Sequence, residues 1–149
     1  MLKPILLVED NPKDIELSLI ALAKTQLTNE VVVARDGAEA MDYLHRAGDF
    51  ADRPPGNPAV VLLDLKLPKI DGLQVLEQIK SSSDLQAIPV VILTSSREEK
   101  DLLQSYKTGA NAYVVKPVRF KEFIAAIQEL GMFWAVLNES PPGNLRPDR

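Results

Sequence analysis

Five short apolar runs punctuate the chain, at residues 5–8, 31–34, 59–63, 90–93 and 112–115. The first, third and fourth are nearly continuous in Val, Ile and Leu, the pattern of parallel strands buried on both faces. The stretches between them have helical periodicity and their own start signals. Asn11-Pro12 reads as a cap followed by proline at the first helical position. Asp36 with Glu39, and Ser96 with Glu99, have capping-box spacing, and Asp71 with Gln74 is an analogue. Strand–helix alternation repeated five times predicts an α/β architecture: a doubly wound, five-stranded parallel sheet flanked by five helices. Residues 48–58, rich in Pro, Gly and Asp, read as an extended surface loop before the third strand. With no internal repeat, one domain is expected over residues 1–138. A tail over 139–149, with prolines and charges, would be mobile or an arm crossing to a partner.

The last helix, about residues 119–138, is longer than one core face requires. Phe120, Phe123, Ile124, Ile127 and Trp134 form a stripe suited to facing the sheet. Ala126, Leu130, Phe133 and Leu137 form a second stripe, rotated round the helix from the first. This wide arc either packs under a neighbouring helix or stays exposed, and an exposed apolar patch marks an interface. The second alternative gives an expectation: a two-fold homodimer through the last strand and helix, with Leu130, Phe133, Trp134 and Leu137 at the contact.

Composition removes several function classes. The 149 residues carry a net charge of −4, and no basic stripe offsets it, so no nucleic-acid partner is expected. No apolar run is long enough to span a bilayer, so no membrane partner is expected either. The start, Met1-Leu2-Lys3-Pro4, lacks signal-peptide organisation, which makes the cytoplasm the default location. The absence of cysteine excludes disulfides and thiolate metal sites. The one histidine, His45, ends the second predicted helix, where a cation suits the helix dipole better than it suits catalysis.

Ligands of such sheets sit beyond the carboxyl ends of the strands. The residues there are Glu9-Asp10, Asp64, Thr94-Ser95 and Lys116-Pro117. Singly, each acid has a bland reading as a cap or turn residue. Together, acids at two different strand ends are not explained by capping. Clustered carboxylates repel, and an oxygen-only set favours Mg²⁺ or Mn²⁺ over zinc. Phosphoryl chemistry needs a nucleophile, charge neutralisation and positioning. Asp64 could attack, a cation on Glu9, Asp10 and Asp64 could neutralise one side, Lys116 the other, and the Thr94 hydroxyl could donate to a third oxygen. Lys116-Pro117 is also a candidate cis peptide, a device that fixes a side chain's direction in a tight turn.

Over about residues 4–130 these features resemble the receiver domain of two-component response regulators, a flavodoxin-like fold. By that resemblance, Glu9 and Asp10 are the Mg²⁺-binding acidic pair. Asp64, in Leu62-Leu63-Asp64-Leu65-Lys66-Leu67-Pro68-Lys69-Ile70-Asp71-Gly72, is the phosphoacceptor for a histidine kinase. The backbone carbonyl of Lys66 is the remaining protein ligand to the metal, Thr94 and Tyr113 are a switch pair, and Lys116-Pro117 is the phosphate-sensing lysine with its cis-proline. The sequence departs from the family where Glu9 replaces a frequent aspartate and Arg119 a frequent Ser or Thr. Lys66 and Ser96 occupy the two positions that tune dephosphorylation. The loop at 48–58, the Asp-Leu-Lys-Leu-Pro string and the lack of an output domain resemble regulators paired with cyanobacterial phytochrome kinases, which often self-associate. The chain is thus expected to store a phosphoryl signal rather than turn over a substrate.

Other classes compete with this expectation. An aspartyl-phosphate phosphohydrolase would carry a second acid two residues after the nucleophile, where this chain has Lys66, and a lysine ammonium is a poor match for that proton-donor role. A flavin phosphate after the first strand would be repelled by Glu9 and Asp10. A purely structural interaction module stays open, since a fold does not fix a function.

Overall fold

The computed structural model describes residues 3–24, 29–95, 99–116, 119, 121, 122 and 125. Its strands are β1 (Ile5–Val8), β2 (Val31–Ala34), β3 (Val60–Leu63), β4 (Val90–Thr94) and β5 (Ala112–Val115). Its helices are α1 (Pro12–Ala23), α2 (Gly37–His45), α3 (Gly72–Ser81) and α4 (Glu99–Thr108). The strands pair in parallel in the order β2-β1-β3-β4-β5. The expected doubly wound five-stranded sheet is therefore present, with four α-helices among the described residues. Of the fifth predicted helix, about residues 119–138, Arg119, Lys121, Glu122 and Ala125 are described; the last three are helical and Arg119 is not. Pro117, Ser96, the proposed interface residues Leu130, Phe133, Trp134 and Leu137, and the tail lie outside the described residues.

Alternation along the strands divides the core into two layers. Ile5, Leu7, Leu62 and Leu93 point to the side of Ile15 and Leu22 of α1. Leu6, Val8, Leu63 and Ile92 point to Met41 and Leu44 of α2 and to Leu76 and Ile79 of α3. Every residue of β1, β3 and β4 is buried, which explains why these runs lack polar alternation in the sequence. After β1 the chain moves out to β2 and returns on the other side as β3. That reversal opens the crevice at the carboxyl ends of β1 and β3.

Helix starts follow the sequence signals, with one shift. Asn11 Oδ1 accepts the N–H groups of Lys13 (2.9 Å) and Asp14 (3.1 Å), and Pro12 opens α1. Asp71 and Gln74 form a complete reciprocal capping box at the start of α3. Asp36 accepts the Glu39 N–H at 2.7 Å, but the Glu39 carboxylate reaches back one residue further, to the N–H of Arg35.

The surface loop predicted at 48–58 is present, and it is internally ordered. It opens with a 3₁₀ turn, Gly48–Phe50, and is held by Arg53. That guanidinium donates to the carbonyls of Tyr43, Pro54 and Gly56 at 2.7–3.0 Å and lies 4.1 Å over the Tyr43 ring, against which Phe50 packs edge-on. Turn-rich composition signals chain reversals, but one arginine supplying donors to the carbonyls of the last turn of α2 leaves no compositional trace.

The loop from β3 to α3 is tightly constrained. The Gly72 N–H donates to the Leu65 carbonyl at 2.8 Å, and a Cβ on Gly72 would collide with the Asp64 carbonyl and the Leu65 backbone. Close backbone approach therefore requires glycine here. Gly72→Ala is expected to destabilise the fold by about 2 kcal/mol through overpacking, read as a lower urea midpoint with an unchanged m-value.

Candidate functional site

The sheet's hydrogen bonding continues past the strand ends and fixes what stands there. The Glu9 N–H donates to the Ala34 carbonyl (2.9 Å), Asp64 to Val8 (3.1 Å), and Lys116 to Thr94 (2.8 Å). Three of these four strand-end side chains are buried: Glu9 is 1% exposed, Asp64 5% and Thr94 0%. Asp10 faces solvent.

Lys116 Nζ lies 2.8 Å from Glu9 Oε1, 3.1 Å from Asp64 Oδ2 and 2.9 Å from Asp14 Oδ2. All three protons of the ammonium thus have a carboxylate acceptor. The other Glu9 oxygen accepts the Asn11 N–H at 3.3 Å, and Asp64 Oδ1 accepts that of Lys66 at 3.3 Å. Asp14 was not singled out from the sequence. As an acid in the first turn of a capped helix it reads as a dipole partner. Its reach to Lys116 depends on the angle at which α1 leaves β1.

Three carboxylates (Glu9, Asp14 and Asp64) contact one ammonium, with Asp10 grouped beside Glu9 and Asp64, and the imbalance appears in the electrostatics. Burial, reinforced by the negative charge of Asp64, pushes Glu9 up to about 7 despite its bond to Lys116. Burial alone would lower Lys116, but its bonds to Asp14 and Glu9 and the charge of Asp64 outweigh this and raise it. One oxygen from each of Glu9, Asp10 and Asp64 lies within 4.8 Å of the others. Such an oxygen-only donor set, two-thirds buried and short of positive charge, fits a hard divalent cation.

The switch candidates share a face. Tyr113 is half-buried among the α2–α3 side of the core, and Thr94 lies on the same side by alternation from Ile92. A groove of about 580 Å³ leads to the acids, lined by Asp10, Lys66, Pro68, Asp71, Lys100 and Asp101. His45 ends α2, at the opposite edge of the sheet from the acids. No described helix is long and apolar enough to cross a membrane.

A doubly wound sheet whose carboxyl edge carries buried acids, a strand-end hydroxyl and a paired lysine has the layout expected from the resemblance to receiver domains. The profile of the response regulator receiver domain matches residues 5–128, and the chain belongs to that family. It is 42% identical over 139 residues (92% of this chain, 86% of the relative) to a probable methanogenesis regulatory protein, FilR2, of Methanothrix harundinacea. It is 40% identical over 132 residues (89% and 88%) to the response regulator Rcp1 of Synechocystis. The solved structure of Rcp1 in its Mn²⁺-bound form superposes with a TM-score of 0.74, covering 93% of this chain and 97% of that one at 37% identity. The bacteriophytochrome response regulator RtBRR is 66% identical, with a TM-score of 0.85 over 96% of this chain and 86% of its own.

The raised Glu9 gives a pH signature for cation binding. With its pKa at about 7 in the cation-free fold, Glu9 is mostly carboxylate by about pH 8 and mostly protonated by about pH 6. Proton and cation compete for the same oxygens. Calorimetric titration with Mn²⁺ is expected to show affinity falling by up to about tenfold per pH unit below about 7, with Glu9→Gln flattening the profile. A flat profile for the unaltered protein across that range would contradict this electrostatic picture.

Proposed function

We propose that the protein is a phosphoacceptor in a two-component phosphorelay, with Asp64 taking a phosphoryl group from the phosphohistidine of a histidine kinase. The observation that carries this reading is the buried Asp64 carboxylate in direct contact with Lys116 at the carboxyl edge of the sheet. A carboxylate oxygen of Asp64 attacks phosphorus in line. The new P–O bond forms as the P–N bond to the kinase imidazole breaks, and the electron pair of that bond returns to the imidazole nitrogen. Lys116 neutralises charge on the moving group, and the Thr94 hydroxyl donates to one of its oxygens. Mg²⁺, with Mn²⁺ as substitute, would be held by the carboxylates of Glu9, Asp10 and Asp64 and the backbone carbonyl of Lys66, and would supply the remaining charge neutralisation.

The product is a stored signal. The chain has no role as an enzyme beyond phosphorylating and dephosphorylating itself, and Lys66 and Ser96 tune how long the acyl phosphate lasts. The added charge beside Thr94 draws its hydroxyl inward, and Tyr113 follows, which changes the surface around β5. A phytochrome-type sensor kinase in the cytoplasm is the proposed donor. Support comes from the similarity to a bacteriophytochrome response regulator and to Rcp1. The reading includes a homodimer through β5 and the last helix, with Leu130, Phe133, Trp134 and Leu137 at the contact.

Incubation with acetyl phosphate and Mg²⁺, read by intact mass, should add one phosphoryl group to the protein and none to Asp64→Asn. Absence of the adduct, or its survival in that variant, would remove the central claim. Sedimentation at high micromolar concentration should show a dimer. A monomer with and without acetyl phosphate would remove the association.

A further inference from the structure

Lys116 has three acceptors in the structure, and two of them are shared with the cation site. Glu9 and Asp64 contribute oxygens to the carboxylate cluster and also bond the ammonium. A cation drawing on their oxygens weakens their hold on the lysine, since both positive charges compete for the same negative charge. Asp14 lies outside that cluster, yet its Oδ2 is 2.9 Å from Lys116 Nζ. The first turn of α1 fixes it there, with its own N–H bonded to the Asn11 cap at 3.1 Å.

We infer that Asp14 is a positioning residue, which keeps the Lys116 ammonium beside Asp64 when a cation has claimed Glu9. The inference rests on the reading of Asp64 as phosphoacceptor. An ammonium has three donors on a long flexible stem, so its direction is set by its partners. The bond to Asp14 acts as the pivot. The Lys116 N–H that Glu9 no longer accepts turns to donate to a phosphoryl oxygen, and the third N–H stays with Asp64. Without Asp14 the lysine has no acceptor of its own, and its ammonium either wanders or crowds onto the acids that the cation needs.

A blander role, favourable interaction of Asp14 with the N-terminal dipole of α1, would affect stability but not the order of Lys116. Two measurements separate the roles, using the full chain, Asp14→Ala and Asp14→Asn, which keeps an acceptor oxygen. The first is ¹⁵N relaxation of the Lys116 ammonium with Mg²⁺ present. Order is expected to drop in Asp14→Ala and to be largely retained in Asp14→Asn. The second is phosphorylation by acetyl phosphate. The maximal rate of Asp14→Ala is expected to fall roughly tenfold, as for a misplaced group, while the half-saturating donor concentration does not rise because a negative charge has been removed. In a Lys116→Ala background the further change Asp14→Ala should have no effect on the residual rate.

Unchanged ammonium order in Asp14→Ala, or the same rate loss when Lys116 is already absent, would overturn the inference. If the unaltered protein takes up no phosphoryl group, the phosphoacceptor reading fails, and the relaxation measurement still decides whether Asp14 holds Lys116.

Discussion

The ammonium of Lys116 ties together four places that are remote in sequence. It joins the end of β5 to the ends of β1 and β3 and to the first turn of α1, with partners 107, 102 and 52 residues away. Backbone pairing sets the strand ends side by side, but gathering acids there incurs repulsion and desolvation. The lysine offsets part of that cost while leaving an excess of negative charge. That excess is what suits the rim to a further cation. Both the persistence of the fold at this edge and its chemistry therefore depend on one incompletely satisfied charge balance.

The incompleteness distinguishes this lysine from a structural ion pair. A buried pair that satisfied itself would be inert and would give an incoming ligand nothing to gain. Here Glu9 sits poised near neutrality while Lys116 is held firmly charged, so the site contains one group that yields readily and one that does not. The hydroxyl of Thr94, fully buried at the neighbouring strand end, lies on the same face as Tyr113.

Much of this was legible in the sequence because the strands are buried on both faces. Near-continuous Val, Ile and Leu leave little doubt about where β1, β3 and β4 lie, so the residues just beyond them could be read off directly. Glu9, Asp10, Asp64 and Thr94 fall together for that reason, and Lys116 follows the short run of β5. Asp14 escaped because its role depends on the exit angle of a helix, which no local pattern encodes. The bracing of the 48–58 loop escaped because Arg53 works through main-chain carbonyls, and any sequence supplies those. Lys69 would not be chosen for a left-handed conformation, yet it adopts φ 67°, with its ammonium 3.2 Å from Asp36. Tertiary contacts there override local preference.

That same loop has a mechanical consequence. From Asp64 to α3 the chain is held at Gly72 against the Asp64 carbonyl and at Ile70 against Gly37, with an exposed Lys69–Asp36 ion pair between them. The half of the rim built from β1, β3 and α2 is therefore an anvil. A charge placed on Asp64 cannot be accommodated by backing its own loop away. The backbone beside Asp64 is thus hemmed in on the β1–β3 side, and the side chain that stands across from it at the next strand end is that of Thr94.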